Sequence, residues 1–392
     1  MRPADFPFTE ISAGCNLAPE VSALSRIRTG PARRSHVGGG RTLPPRRRPA
    51  VEALQIGIVG YGYWGPNLAR NFNETTGSSI VAISDLRPER LAQAQALYPA
   101  VEVSTDFGDL LSDPAVDAVA IATPVSTHHA LAMAALQAGK HVLVEKPLAV
   151  SSAQASELIE TAARADRVLM VDHTFVYTGA VQKIKELVDS GHLGRLYYYD
   201  SVRVNLGVFQ HDVIVMWDLA VHDLSIMDYV LGKEPRATAA TGVAHVPGRP
   251  VNTAYLTCFF DDDLIAHLHV NWLAPVKIRR TLIGGDRQMI VYDDLEPSEK
   301  VKVYDKGITV TTRPGEGMEG AYDLLVGYRA GDVLAPQLSL AEALRIETQH
   351  FVECVSTGRT PLTDGASGLR VIRVLEAADR SLADHGGPVR IS

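Results

Sequence analysis

Residues 55–59 form a short apolar run, residues 64–72 carry a helical apolar pattern, and between them stands Gly60-Tyr61-Gly62-Tyr63-Trp64-Gly65. Few folds accept three glycines at this spacing, entered from a strand and left into a helix. The first glycine permits a tight turn, the second lets backbone approach a bound pyrophosphate, and the third lets helix and strand pack closely. The helix N-terminus then offers unpaired N–H groups to the negative charge. An ordinary glycine turn would account for the string alone. It does not account for Asp85, twenty residues after Gly65 at the end of the next apolar run, 80–84, where a carboxylate meets an adenosine ribose.

The alternation continues. Residues 118–122, 142–144 and 168–172 read as further strands, and 88–97, 129–138 (stopped by Gly139) and a segment capped by Ser151 or Ser152 and ending near 165 read as helices. This predicts a doubly wound parallel sheet, a Rossmann dinucleotide-binding domain over residues 54–174. Beyond His173 the rhythm is lost. A helix at 181–190 is followed by a strand at 196–204 and by two hairpins, 255–260 with 264–272 and 280–283 with 289–292, before closing helices at 340–356 and 366–382. Residues 175–392 therefore read as a second α/β domain built on antiparallel pairing, a substrate domain.

Residues 1–53 differ from both. The first 50 hold nine Arg, no Lys and three acids, with Gly38-Gly39-Gly40 and Arg46-Arg47-Arg48-Pro49 and no sustained period. They read as a disordered, dispensable extension, from a translation start placed too far upstream; a twin-arginine or organelle-import signal would need an apolar h-region that is absent. With a formal net charge of -7 for the whole chain, the remainder has a net charge of -13, which argues against nucleic acid as a partner. No apolar run approaches the roughly 18 residues of a membrane span. Cys15, Cys258 and Cys354 form no disulfide framework and no zinc spacing, which fits a cytoplasmic setting.

Thr123-Pro124 and Glu145-Lys146-Pro147 each end a predicted parallel strand, the side of an open α/β sheet on which ligands bind. An ammonium at Lys146 would hydrogen-bond a substrate hydroxyl or carbonyl and stabilise alkoxide character as a hydride leaves or arrives. A solvated Glu145–Lys146 pair at a strand end is the plainer alternative. Residues 217–231 read as a buried helix on which Asp218, His222, Ser225 and Tyr229 recur at i, i+4, i+7 and i+11 and so share a face. His222 suits a general base toward an alcohol, with Asp218 orienting its ring or touching the substrate. The pair also suits a structural histidine or two metal ligands, although no third ligand has matching spacing, and no metal is expected.

Together these residues resemble the Gfo/Idh/MocA family of oxidoreductases, named for glucose-fructose oxidoreductase and inositol dehydrogenase. The likeness spans roughly residues 54–390 and is carried by the Gly60–Gly65 run, Ala122-Thr123-Pro124 with His128, Glu145-Lys146-Pro147, and Asp218-Leu219-Ala220-Val221-His222. The resemblance implies a Rossmann domain followed by an α/β domain with a largely antiparallel open sheet whose outer face builds a homodimer or homotetramer. It implies NAD as cofactor, with NADP as the alternative, held by Gly60, Gly62, Tyr63, Trp64, Gly65, Asp85, Thr123, Pro124, His128, Glu145 and Lys146. Asp85 would accept from a ribose hydroxyl and repel a 2′-phosphate, while Arg87 and Arg90 pull toward phosphate. Lys146, Asp218 and His222 match the family's catalytic lysine, aspartate and histidine.

Two departures stand out. Ala220 occupies a position where the family usually has glycine, and the arginine often found after the strand ending near His173 is missing from His173-Thr174-Phe175-Val176-Tyr177. His173, Tyr177, Asn205, Gln210, Lys277, Arg279 and Arg280 are the candidates for the sugar pocket, and Lys277, Arg279 and Arg280 offer three cations to a diphosphate. The expected reaction is hydride transfer between nicotinamide and a secondary alcohol or ketone carbon of a nucleotide-linked sugar, at C3. An inositol or free-sugar dehydrogenase, a trans-dihydrodiol or biliverdin-type reductase, and a catalytically silent NAD(P)-binding regulator are the alternatives.

Overall fold

The computed structural model describes residues 53–207, 213–305, 307–311 and 325–391. The proposed extension, apart from Ala53, and Gln210 lie outside the described residues. The first half alternates β1 (Leu54–Val59), α1 (Gly65–Glu74), β2 (Ser78–Ser84), α2 (Pro88–Leu97), β3 (Glu102–Ser104), α3 (Phe107–Ser112), β4 (Ala118–Ile121), α4 (Val125–Gln137), β5 (His141–Glu145), α5 (Ser152–Ala165) and β6 (Leu169–Asp172). The strands form one parallel sheet in the order β3-β2-β1-β4-β5-β6. β1 lies between β2 and β4, so strand order reverses beside it and a crevice opens at the strand C-termini. β4 and β6 are buried throughout, as strands covered on both faces require. β3 and α3 were not anticipated. Three residues, Glu102-Val103-Ser104, are too few to show an alternation.

A 3₁₀ turn (Thr174–Tyr177) leads into α6 (Gly179–Asp189) and β7 (Leu196–Leu206), and a π-helical turn (Met216–Ala220) opens α7 (Val221–Leu231). Strands β8 (Ala237–Val243), β9 (Thr253–Phe259), β10 (Ile265–Asn271), β11 (Leu273–Gly285), β12 (Met289–Asp293) and β13 (Val301–Tyr304) follow. Then come β14 (Gly307–Thr311), β15 (Leu325–Arg329), β16 (Val333–Leu334), α8 (Ala343–Thr357), α9 (Gly365–Ala383) and β17 (Val389–Arg390). Nine strands make one sheet, β16-β13-β12-β11-β7-β10-β9-β8-β17, and β14 pairs with β15 separately. The large sheet is antiparallel except where β10 runs parallel to β7, a pairing that needs a crossover and that no local pattern announces. α6, α7 and α9 pack on one of its faces through Ile184, Leu224, Val230, Val374 and Leu375.

The two halves share helices. α8 lies against the parallel sheet with Leu344, Phe351 and Val352 in its core, and Phe351 meets Phe72 edge to face at 5.9 Å. Thr363, between α8 and α9, holds the outer strand β6: the Val171 N–H donates to its carbonyl at 2.8 Å, and its hydroxyl donates to the Val171 carbonyl at 2.7 Å. An otherwise open edge is thereby capped.

Candidate active site

The β1–α1 turn is built for an anion. Gly60 has φ +88°, which a side chain would strain, and a Cβ on Gly65 would lie 2.0 Å from the Gly60 carbonyl oxygen. A Cβ on Gly62 would meet only an Arg87 nitrogen, at 3.5 Å, so this backbone faces free space. Trp64 precedes α1 without a side-chain cap; in the first turn Pro66 has no N–H and the Asn67 N–H donates to the Trp64 carbonyl at 2.8 Å, so this ten-residue helix offers an anion its positive end and not a row of free donors. Tyr63 and Trp64, both exposed, meet edge to face at 5.6 Å beside the turn. These features fit a dinucleotide pyrophosphate.

Asp85 closes the same crevice at the end of β2. Its Oδ2 accepts from the Tyr61 N–H at 2.6 Å, and both oxygens accept from the Arg87 guanidinium at 2.9 and 3.0 Å. Burial alone would raise its pKa; the bonds from Arg87 and Tyr61 outweigh that and hold it below the usual carboxylate range. An ionised acceptor is thus ready at the ribose position, with Arg87 folded over it.

His128 is buried on α4, Nε2 2.8 Å from the Thr123 carbonyl and Nδ1 2.8 Å from the Pro147 carbonyl. It clasps the loops after β4 and β5 together and so sets the positions of Thr123, Pro124 and Lys146 without reaching the crevice. Glu145 is likewise buried. It accepts from the Lys146 N–H at 3.2 Å and shares a hydrogen bond with Asp172, which in turn bonds Glu347 on α8. Burial and the Asp172 charge push Glu145 and Glu347 well above the usual carboxyl range.

Lys146 emerges from this layer into the crevice. Its Nζ donates to the Asp218 carbonyl at 3.0 Å and approaches Asp218 Oδ1 at 3.4 Å, while Trp272 Nε1 donates to Asp218 Oδ2 at 3.0 Å. The π-helical turn makes this possible by presenting both the carbonyl and the carboxylate of one residue to one ammonium. It also corrects the continuous helix expected over 217–231. Ser225 turns back to the His222 carbonyl, and Tyr229 donates to Gln182 on α6, so the predicted polar stripe does not line one cleft.

His222 is half-buried against Phe175, ring centres 5.0 Å apart, and its Nδ1 has no partner. Burial first, then Lys146, Arg203, His173 and Arg279, hold its pKa well below the ordinary value. His173 is buried beside it with neither ring nitrogen partnered, its pKa pushed down to about 3 by burial and Lys146. Lys146, Asp218, His173 and His222 thus assemble at the C-terminal ends of β5 and β6.

The other pocket candidates divide. Asn205 lies two residues beyond Arg203 on β7, and Arg279 faces Arg203 across the sheet. Arg280 alternates to the opposite face and pairs with Asp293, and Tyr177 is buried in the core, its hydroxyl on Thr363 Oγ1 at 3.0 Å. Lys277 is exposed in a bulge of β11, so the three-cation cradle expected for a diphosphate does not assemble. Arg203 and Asp223, a buried bidentate pair at 2.8 and 3.1 Å, escaped sequence reasoning. The available signal was parity: Arg203 falls in the alternation that buries Tyr199 and Ser201.

Comparison with known proteins now decides the family. A model described as "Oxidoreductase family, NAD-binding Rossmann fold" matches residues 54–173, and one for the GFO/IDH/MocA C-terminal domain matches residues 181–291. The chain belongs to the GFO/IDH/MocA oxidoreductase family. It is an NAD-dependent oxidoreductase. This GFO/IDH/MocA chain is 25% identical to myo-inositol 2-dehydrogenase of Thermotoga maritima over 84% of its length and 97% of the relative's. It is 29% identical to UDP-N-acetylglucosamine 3-dehydrogenase of Acidithiobacillus ferrooxidans over 81% and 94%. A solved structure of the latter superposes with TM-score 0.71 at 26% identity, covering 84% of this chain and 97% of that one. No helix among the described residues is long and apolar enough to cross a membrane.

Proposed function

We propose that the chain oxidises a secondary alcohol on a ring polyol, a cyclitol or free sugar, or reduces the corresponding ketone. The observation that carries the reading is the Lys146 ammonium, held 3.0 Å from the Asp218 carbonyl and within electrostatic reach of His222, whose Nδ1 has no partner and whose pKa is held below the ordinary imidazole value. Lys146 donates a hydrogen bond to the reacting oxygen, and Asp218, steadied by Trp272, is a positioning residue for it. His222 takes the hydroxyl proton as the C–H hydrogen departs with two electrons. NAD, when bound by Gly60, Gly62, Gly65 and Asp85, supplies the acceptor for that hydride. The reverse direction returns the same proton and electron pair to a ketone.

The inositol dehydrogenase relative supports a free polyol. A nucleotide-linked sugar oxidised at C3 is the second reading, favoured by the UDP-N-acetylglucosamine 3-dehydrogenase relative. With the same standing, we take residues 1–53 as dispensable, 54–174 as the cofactor part, and 175–392 as the substrate and assembly part of a cytoplasmic homodimer or homotetramer.

The test follows NAD reduction at 340 nm with inositols, free hexoses and UDP- and TDP-linked sugars. Lys146→Ala and His222→Ala are expected to lose about a hundredfold to ten-thousandfold in turnover with NADH binding intact. Wild-type-like turnover in either variant would overturn the assignment.

A further inference from the structure

Resting on the reading of this site as one for a ring alcohol, we propose that the substrate ring also carries one carboxylate, received by Arg203 and Arg279. The two arginines stand directly opposite each other on the antiparallel strands β7 and β11, so both occupy the helix-covered face. Their guanidinium carbons lie 4.5 and 5.3 Å from the centre of the Phe175 ring. Like charges placed directly across a sheet destabilise it, and burial of Arg203 sharpens the cost.

Each arginine already has a carboxylate: Asp223 takes Nε and Nη2 of Arg203, and Asp294 takes Nη1 of Arg279 at 3.2 Å. Yet Arg203 Nη1 and Arg279 Nε are buried with no partner. A charged N–H left unsatisfied in the interior is costly, and an arriving anion removes the penalty. Two unpaired N–H donors, one from each guanidinium, suit the two oxygens of a single carboxylate.

Position ties the anion to the reacting ring. Phe175, beneath both guanidinium groups, is the ring that His222 meets at 5.0 Å. A group over Phe175 is therefore one side chain away from the base, close enough to be a substituent of the ring being oxidised. The loop after β6, where the family often has an arginine, offers Phe175 as a platform, and the cations arrive from the sheet.

The experiment compares kcat/KM for matched pairs: glucose with glucuronate, galactose with galacturonate, and myo-inositol with quinate, with galactose 1-phosphate as the phosphorylated arm. Binding of each to the enzyme–NADH complex is read separately by NADH fluorescence. The expected result is an acid preferred over its neutral partner by about ten- to a hundredfold, with Arg279→Met raising its KM by a similar factor. Because Arg203→Met alone would strand a buried Asp223, Arg203 is tested as Arg203→Met with Asp223→Leu. Should that double variant not fold, Arg279→Met decides. Equal use of acids and neutral polyols, or a preference for the phosphate, overturns the carboxylate and leaves the polyol reading standing. An Arg279-dependent acid bound without turnover of any polyol keeps the anion site and sinks the polyol reading. No acid binding more tightly than its partner overturns the proposal outright.

Discussion

His222 is surrounded by cations and by apolar surface, and both act in one direction, holding its pKa well below the ordinary value near 6.5. A base must be unprotonated to accept a proton, so a depressed pKa keeps it competent in more acidic solution. Accordingly, kcat/KM for alcohol oxidation is expected to stay level as pH falls through 6.5 and to decline only below it, because this parameter reports the free enzyme. The limb should vanish in His222→Ala. A pH–rate profile with its acid limb centred at or above 6.5 would contradict the assignment of the base. An anionic substrate should offset part of the field from Arg203 and Arg279, placing the acid limb of kcat at higher pH than that of kcat/KM.

Where β5, β6 and α8 meet, three acids lie together: Glu145, Asp172 and Glu347, with the Thr174 hydroxyl donating to Asp172. Two ionised carboxylates have no proton to share, so Glu347 and Asp172 are hydrogen-bonded only when Glu347 is protonated and donates. Its pKa is raised well above the ordinary 4.5, so the folded state keeps a proton that the unfolded chain releases. That contribution to stability is complete below about pH 4.5 and is lost as pH rises toward the folded value. Glu347→Gln is therefore expected to stabilise by about 1–3 kcal/mol at pH 8 and to change little at pH 5, checked by calorimetry at both pH values. The elements that build this layer were readable unevenly. β1, β2, β4 and β5 stood out because strands buried on both faces become apolar runs, and Ser151 does cap α5. The acid cluster, the choice of Asp223 as partner of Arg203 and the parallel β7–β10 pairing were not readable, since each joins residues brought together only by tertiary packing. The π-helical turn was missed for a related reason: its extra residue per turn mimics an α-helical spacing around Asp218 and His222.

On the whole molecule, one face of the nine-stranded sheet carries no helix among the described residues. Tyr255 stacks on His269 there, 4.4 Å between ring centres, and Ile265, four residues along β10 from His269, shares the face; Tyr255 and Ile265 are both exposed. Light scattering at micromolar concentration is expected to show a dimer or tetramer, and Tyr255→Glu with Ile265→Glu to shift it toward monomer. A monomeric wild type would remove this face from the assembly. A different consequence follows from the helices shared between the halves. The ribosome releases all six strands of the parallel sheet by residue 172, yet α8 fills that sheet's core and Thr363 closes its β6 edge. Until residues near 363 emerge, the nascent cofactor half exposes an unpaired edge and an uncovered apolar surface, the features that chaperones recognise and that seed aggregation. Completion of the part made first thus waits for the part made last, and a premature stop after α7 would cost the cell the nucleotide-binding half as well.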